Sequence, residues 1–154
     1  MVTASGEQIA LYDCRKPSII LSHALGRHSP SPGEELNDLD VTLTGGRTLI
    51  STCDDSGLGH VFSLEPDHTF APVHTLKNKH SNICFRARFD GDHFLYTCAF
   101  DYKLVQWNLQ DLSKSQSRNV FDLLSKSYGP EAMQYNPPFI YSMAAFTCPK
   151  KGSR

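Results

Sequence analysis

A chain of 154 residues with 40% apolar side chains is long enough to build one ordinary globular core. Its 15 basic and 16 acidic residues leave a formal net charge of −1, which gives no steering toward nucleic acid or an anionic membrane surface. No apolar run, those at Ile19–Leu21 and Phe139–Ile140 included, comes near the ~18 residues a bilayer-spanning helix needs. The opening MVTASGEQIALYD has no basic stretch ahead of an apolar one, so no secretory signal is expected there. Cys14, Cys53, Cys84, Cys98 and Cys148 are odd in number, widely spaced and free of CxxC pairs. They read as reduced, mostly buried thiols of a cytoplasmic or nuclear protein.

Along the chain one grammar recurs: a β-rich run, a turn, and a second β-rich run ending in an aromatic residue and a polar one. The first instance is Met1–Ser5, a turn at Gly6-Glu7, and Gln8–Asp13. Residues 16–35 follow as a loop insertion whose segment His23–Glu35, with two Ser-Pro pairs and glycines, favours an extended surface loop. Leu36–Thr42 is a predicted strand, followed by Thr48–Cys53, a turn over Asp54–Gly57, and Leu58–Ser63. A fourth, outer strand is expected at Thr69–Leu76. Ile83–Phe89 then leads into Phe94–Cys98, a turn at Asp101-Tyr102, and Lys103–Asn108. Alternation of Lys103, Val105 and Trp107 against Leu104 and Gln106 has the period of two that strands require.

Beyond Trp107 the segment Asp111–Arg118 is polar and loop-like. Asn119–Ser127 is expected to form a short helix, with Val120, Leu123 and Leu124 on one face. Asn136-Pro137-Pro138 breaks the chain, and Phe139–Cys148 reads as the opening strand of a further unit. Lys150, Lys151 and Arg154 make a basic tail, read as solvated because no aromatic residues interleave it. The aromatic anchors Tyr12, Phe62 and Trp107 are separated by 62 − 12 = 50 and 107 − 62 = 45 residues. This approximates the ~40–45-residue period of a propeller blade, with the insertion lengthening the first interval.

The third unit, from His80-Ser81-Asn82-Ile83 through Asp101 to Trp107-Asn108, resembles a complete WD repeat. In that family a His before the repeat, a Ser or Thr on a strand, an Asp in the tight turn and the Trp form a hydrogen-bonded tetrad. The resemblance assigns those places to His80, Thr97, Asp101 and Trp107. The second unit departs from the pattern: Ser56 stands where the third has Asp101, Phe62-Ser63 replaces the Trp-Asp pair, and only the neighbouring Asp55 suits the turn. The implied fold class is all-β, an incomplete WD-repeat β-propeller of about two full blades and two partial ones. Its expected divisions are a strand pair of a partial blade (1–15), the insertion (16–35), a WD-like blade (36–76), a WD blade with the tetrad (77–112), a linker with a short helix (113–138), and the start of a further blade with the tail (139–154). Repeat units bury their apolar faces only against neighbours. The remaining blades are therefore expected from a longer parent chain or a partner chain.

The implied function is a non-enzymatic scaffold for protein–protein interaction, with no cofactor, no metal, and neither nucleic acid nor membrane as partner. The run Ile9–Arg15 also resembles the box by which many WD proteins dock on the adaptor of cullin-four ubiquitin ligases, with Tyr12, Asp13 and Arg15 as the carriers. A guanidinium at a strand end makes bidentate contacts that lysine does not reproduce. Local pairing of Asp13 with Arg15 is the simpler reading of the same residues. A WD scaffold unrelated to ubiquitin transfer stays open, as does a thiol- or metal-dependent enzyme. Against the last, no His/Cys set, including His23 with His28 or His74 and His80 with Cys84, has the short paired spacing of a structural zinc site. No GxSxG or Cys–His pairing marks a nucleophile. Ser29-Pro30 and Ser31-Pro32 are minimal proline-directed phosphorylation patterns, in which added charge near Arg27 would order or release the loop.

Overall fold

The computed structural model describes residues 1–15, 23–129, 131 and 137–145. They form eleven strands in three antiparallel sheets. The first sheet comprises β1 (Val2–Ser5), β2 (Gln8–Leu11) and β3 (Gly26–His28), in that order. The second is a meander of β4 (Leu36–Thr44), β5 (Arg47–Asp54), β6 (Gly59–Leu64) and β7 (Phe70–Leu76). The third is a meander of β8 (Cys84–Asp90), β9 (Phe94–Ala99), β10 (Lys103–Asn108) and β11 (Gln116–Asn119). The helix α1 (Val120–Tyr128) follows, its first turn capped by the Asn119 side chain, which accepts from the Asp122 N–H.

Two apolar layers define the stacking. Ile9 and Leu11 of the first sheet meet Leu36, Ile50, Phe62 and Phe70 of the second. On its other face the second sheet sets Leu49, Cys53, Val61 and Leu76 against Cys84, Ala87, Phe89, Leu95, Val105 and Trp107 of the third. Alternate residues thus serve opposite neighbours, Ile50 and Phe62 one way, Leu49 and Val61 the other. Such a strand is wet on neither face, and Leu49–Asp54 is buried without interruption. β8 and β10 lie in an outer sheet and keep the alternating burial of strands covered on one side.

The second and third sheets approach most closely along their first strands, β4 and β8. As an edge strand, β8 presents backbone N–H groups with no ladder partner on one side. Two carboxylates from β4 take them: Asp38 Oδ2 accepts from Ala87 N–H at 2.9 Å and Asp40 Oδ2 from Phe89 N–H at 2.9 Å. Asp38 also pairs with Arg88, and Asn37 Nδ2 donates to Cys84 O at 3.1 Å. Acceptors on alternate residues of β4 therefore match donors on alternate residues of β8, so the sheets are held in register without sharing a ladder.

Several expectations need correction. The insertion contains a strand: Gly26–His28 pairs with β2, with Ile9 opposite His28 and Leu11 opposite Gly26. Three residues are too few to display a period, and Gly26 is needed because a Cβ there would come within 2.1 Å of His68 O. The polar stretch 111–118 contains the start of β11, which pairs with β10 from Lys103–Asn119 to Gln106–Gln116. An edge strand wet on both sides has no apolar residues to reveal it. Phe139–Cys148 was expected to open a strand, but its described residues 139–145 carry none. Instead Phe139 stacks on Tyr102 at 5.1 Å and meets Phe100 edge-on at 5.4 Å, so the segment is anchored through rings and not through a ladder. Cys148 and the basic residues Lys150, Lys151 and Arg154 lie outside the described residues. No helix among the described residues is long and apolar enough to cross a membrane.

Candidate functional site

The structure brings His80, Thr97, Asp101 and Trp107 together at one end of the third sheet. Thr97 lies on β9, opposite Val105 of β10, and Trp107 follows two residues along the same strand. The β9–β10 turn carries Asp101, and Tyr102 beside it has φ 63°, a left-handed conformation unfavourable to a bulky residue. Its ring is held between Phe121, at 5.6 Å, and Phe139.

Trp107 Nε1–H donates to Thr97 Oγ1 at 2.7 Å, and Thr97 Oγ1 lies 2.7 Å from His80 Nε2. His80 Nδ1 faces both carboxylate oxygens of Asp101, at 3.2 and 3.3 Å. The assignment that satisfies every group is a neutral imidazole. Nδ1–H donates to Asp101, and Nε2 accepts from the Thr97 hydroxyl, which in turn accepts from the indole. Burial is the larger influence on the ring and holds the His80 pKa below its ordinary 6.5, against the pull of Asp101. Desolvation would raise Asp101. The backbone N–H groups of Ser81 and Lys103, donating at 2.9 and 3.0 Å, together with His80 hold its pKa below 3.8 instead. The arrangement locks the loop before β8, the β9–β10 turn and the strands between them into one body.

The second sheet holds a different buried cluster, which the sequence reading did not find. Asp54, at the end of β5, is fully buried. Its Oδ1 accepts from Ser56 Oγ at 2.7 Å and Leu58 N–H at 3.0 Å, and its Oδ2 lies 2.9 Å from His60 Nε2. Ser31 Oγ lies 3.1 Å from the same nitrogen. Desolvation pushes the Asp54 pKa up, but hydrogen bonds from His60, Ser56, Ser31 and Leu58 outweigh it and bring it down to about 2. Asp54 thus takes the role in the turn expected of Asp55. Asp55 instead accepts from Asn37 Nδ2 at 2.8 Å. The signal was present in the sequence, since period two places His60 on the same inward row as Phe62, and an inward histidine needs a partner. Ser, His and Asp here are not a nucleophilic relay. Serine and carboxylate both address Nε2, whereas a relay needs one on each ring nitrogen.

Of the candidate docking residues, Tyr12 is buried and the Arg15 side chain is 91% exposed. Arg15 grips its neighbour bidentately: Nε donates to Asp13 Oδ1 at 2.8 Å and an Nη to Oδ2 at 2.9 Å. Cys53, Cys84 and Cys98 are buried and unbridged, and Cys14 is exposed. Contact with the Cys84 thiol, and then burial, drive the Cys53 pKa strongly upward, while burial pushes Cys98 up to about 12. Such thiols stay protonated at neutral pH, the opposite of what nucleophilic or metal-binding sulfur requires. Among the described residues no cluster of three or more His, Cys, Asp or Glu side chains is placed to hold a metal ion. Of the histidines considered as ligands, His80 is engaged in the tetrad and His28 packs against Phe62 at 5.0 Å.

No protein-family model matches the chain, and no curated protein matches it in sequence.

Proposed function

We propose that this chain is an arc of a WD-repeat β-propeller and acts as a non-enzymatic scaffold for protein–protein interaction in the cytoplasm or nucleus. The observation that carries the reading is the chain of hydrogen bonds from Trp107 through Thr97 and His80 to Asp101. Four residue types in four separate places of one repeat meet in the arrangement that the WD resemblance implies. Stacking of the sheets about their first strands supports the same reading, because blades wedge together along their inner strands.

Within that class the partner we propose is the adaptor of cullin-four ubiquitin ligases, addressed by Arg15. Asp13 fixes the guanidinium at the end of the first sheet while leaving it exposed. The same bidentate pair favours a second reading, a scaffold with no part in ubiquitin transfer, because Asp13 already occupies the fork that a partner would use. Capture of the purified adaptor by the immobilised chain separates the two. Docking through Arg15 predicts that wild type retains the adaptor and Arg15→Ala loses it by about tenfold or more, as the removal of a bidentate charged contact requires. Equal capture by both proteins, or capture by neither, leaves the scaffold reading and removes the ligase.

A further inference from the structure

Two Ser-Pro pairs lie in the segment joining the first and second sheets, and their surroundings differ. Ser31-Pro32-Gly33-Glu34 is a tight turn closed by Glu34 N–H donating to Ser31 O at 3.0 Å. Pro32 occupies its second position and Gly33, at φ 89°, its third, the requirements of a type II turn. Glu7 of the β1–β2 turn ties the segment to the first sheet by accepting from Gly33 N–H at 2.6 Å. The Ser31 hydroxyl ties it to the second sheet through His60, 3.1 Å away, and the buried Asp54 behind it. Ser31 is therefore one half of a latch across the first interface. No described hydrogen bond connects Ser29 to that latch.

We propose that Ser31 is a proline-directed phosphorylation site and that a phosphate there unlatches the segment 29–35 from the second sheet. The reaction is transfer of the γ-phosphoryl group of a nucleoside triphosphate. The Ser31 Oγ–P bond forms, the bond from that phosphorus to the bridging oxygen of the nucleoside diphosphate breaks, and the hydroxyl proton goes to the base of the kinase. The product has lost the hydroxyl hydrogen and gained ~1.5–2 negative charges at neutral pH. Within the latch those charges meet the Asp54 carboxylate, which is ionised and fully buried. They also meet Glu7 across the turn, whose carboxylate holds the Gly33 N–H. The imidazole of His60 is already shared with Asp54 at 2.9 Å. Like charges oppose closure, so the phosphorylated segment populates the open arrangement. Ser31 is half-buried when the latch is closed. The kinase therefore acts on the open form, and the phosphate keeps it open.

Arg27, in β3, reports the outcome, since pairing with Ala10 of β2 shields its peptide bond from trypsin while the latch holds. The full chain, its Ser31→Ala and Ser29→Ala variants, and a peptide spanning 26–36 are incubated with a proline-directed serine kinase and nucleoside triphosphate. Phosphate is mapped by mass spectrometry, and tryptic cleavage after Arg27 is timed. The expected result is phosphate on Ser31 in the wild-type and Ser29→Ala chains, with cleavage after Arg27 accelerated by about tenfold or more, because proteolysis follows the population of the open form. Ser31→Ala, which lacks the latch hydroxyl and starts from a higher basal rate, should show no phosphate at that position and no further change in cleavage on kinase treatment. Three results overturn the proposal: a peptide that is not a substrate, a peptide that is phosphorylated while Ser31 of the folded chain is not, or phosphate on Ser31 with cleavage after Arg27 unchanged.

Discussion

The second and third sheets share a plan and solve the same problem differently. An offset of 45 residues superposes them: Thr97 on Thr52, Trp107 on Phe62, Val105 on His60 and Ala99 on Asp54. Strand pairing agrees, since Thr52 faces His60 as Thr97 faces Val105. In the third sheet the carboxylate and imidazole come from turn and loop, and the strand positions equivalent to Asp54 and His60, Ala99 and Val105, are apolar. In the second, histidine and carboxylate have moved onto the strands, and Phe62 has removed the indole donor. Asp54 and His60 satisfy each other there, but Thr52 Oγ1 is buried with no hydrogen-bond partner among the described residues. The second sheet thus brings a carboxylate and an imidazole together by a different route from the third, and leaves the Thr52 hydroxyl outside that pairing.

The largest expected effect tests whether the third-sheet network carries stability. Thr97→Val keeps the shape of the side chain and strands Trp107 Nε1–H and His80 Nε2, on side chains that are both buried. Each orphaned buried polar group costs ~1–3 kcal/mol, so urea unfolding should show a loss of about 2–4 kcal/mol. A loss below about 0.5 kcal/mol would mean that the network is ornamental and that the two sheets do not differ in the way described.

Acid separates the two clusters. His80 has a folded pKa below 6.5, so the unfolded chain binds the proton more readily. Its contribution is complete above pH ~6.5 and is lost as pH falls from there through the lower folded value. His28 acts in the same direction, its pKa lowered by burial and by the neighbouring His60. Asp54 is a carboxylate whose folded pKa is depressed from 3.8 to about 2. It stabilises above pH ~4, and its share, about 2 kcal/mol, disappears as pH falls toward 2. The slope from one histidine reaches at most ~1.4 kcal/mol per pH unit. The chain's single tryptophan sits within the third-sheet network, so its fluorescence reports that end of the molecule first. Stability independent of pH between 6.5 and 5 would show that His80 is not buried in the neutral form.

What the sequence disclosed follows from which interactions leave a local trace. Strands β5, β6, β9 and β10 are runs of six or more residues rich in apolar and β-branched side chains and bounded by turn residues, and β10 also alternates, so they were legible with small errors at their ends. His80, Thr97, Asp101 and Trp107 were legible because the WD resemblance fixes their spacing. Gly26–His28 was not, since three residues have no period and their pairing is decided by β2, about fifteen residues upstream. Asp38 and Asp40 were hidden for a related reason. Charged residues at alternate places in a strand read as a solvated face, and only the approach of β8, 49 residues away, turns them into acceptors for its free N–H groups. Asp54 was passed over for Asp55 because both fit a turn, and the choice depends on which carboxylate points inward at His60.

The smallest effect sharpens the comparison most. Thr52→Val removes a hydroxyl that has no partner among the described residues, and the new methyl group occupies nearly the same volume. The desolvation cost of the hydroxyl is then relieved and no donor is orphaned, so the variant should be between neutral and about 1 kcal/mol more stable than wild type in the same urea experiment. The identical substitution 45 residues later is expected to be the most damaging of the set. A pair of threonines at equivalent places, opposite in sign, is the quantitative form of the claim that the third sheet holds its anchor by hydrogen bonds and the second leaves its threonine hydroxyl outside the pairing. If Thr52→Val instead costs more than about 1 kcal/mol, the Thr52 hydroxyl has a partner, and the second sheet keeps more of the third sheet's arrangement than Phe62 suggests.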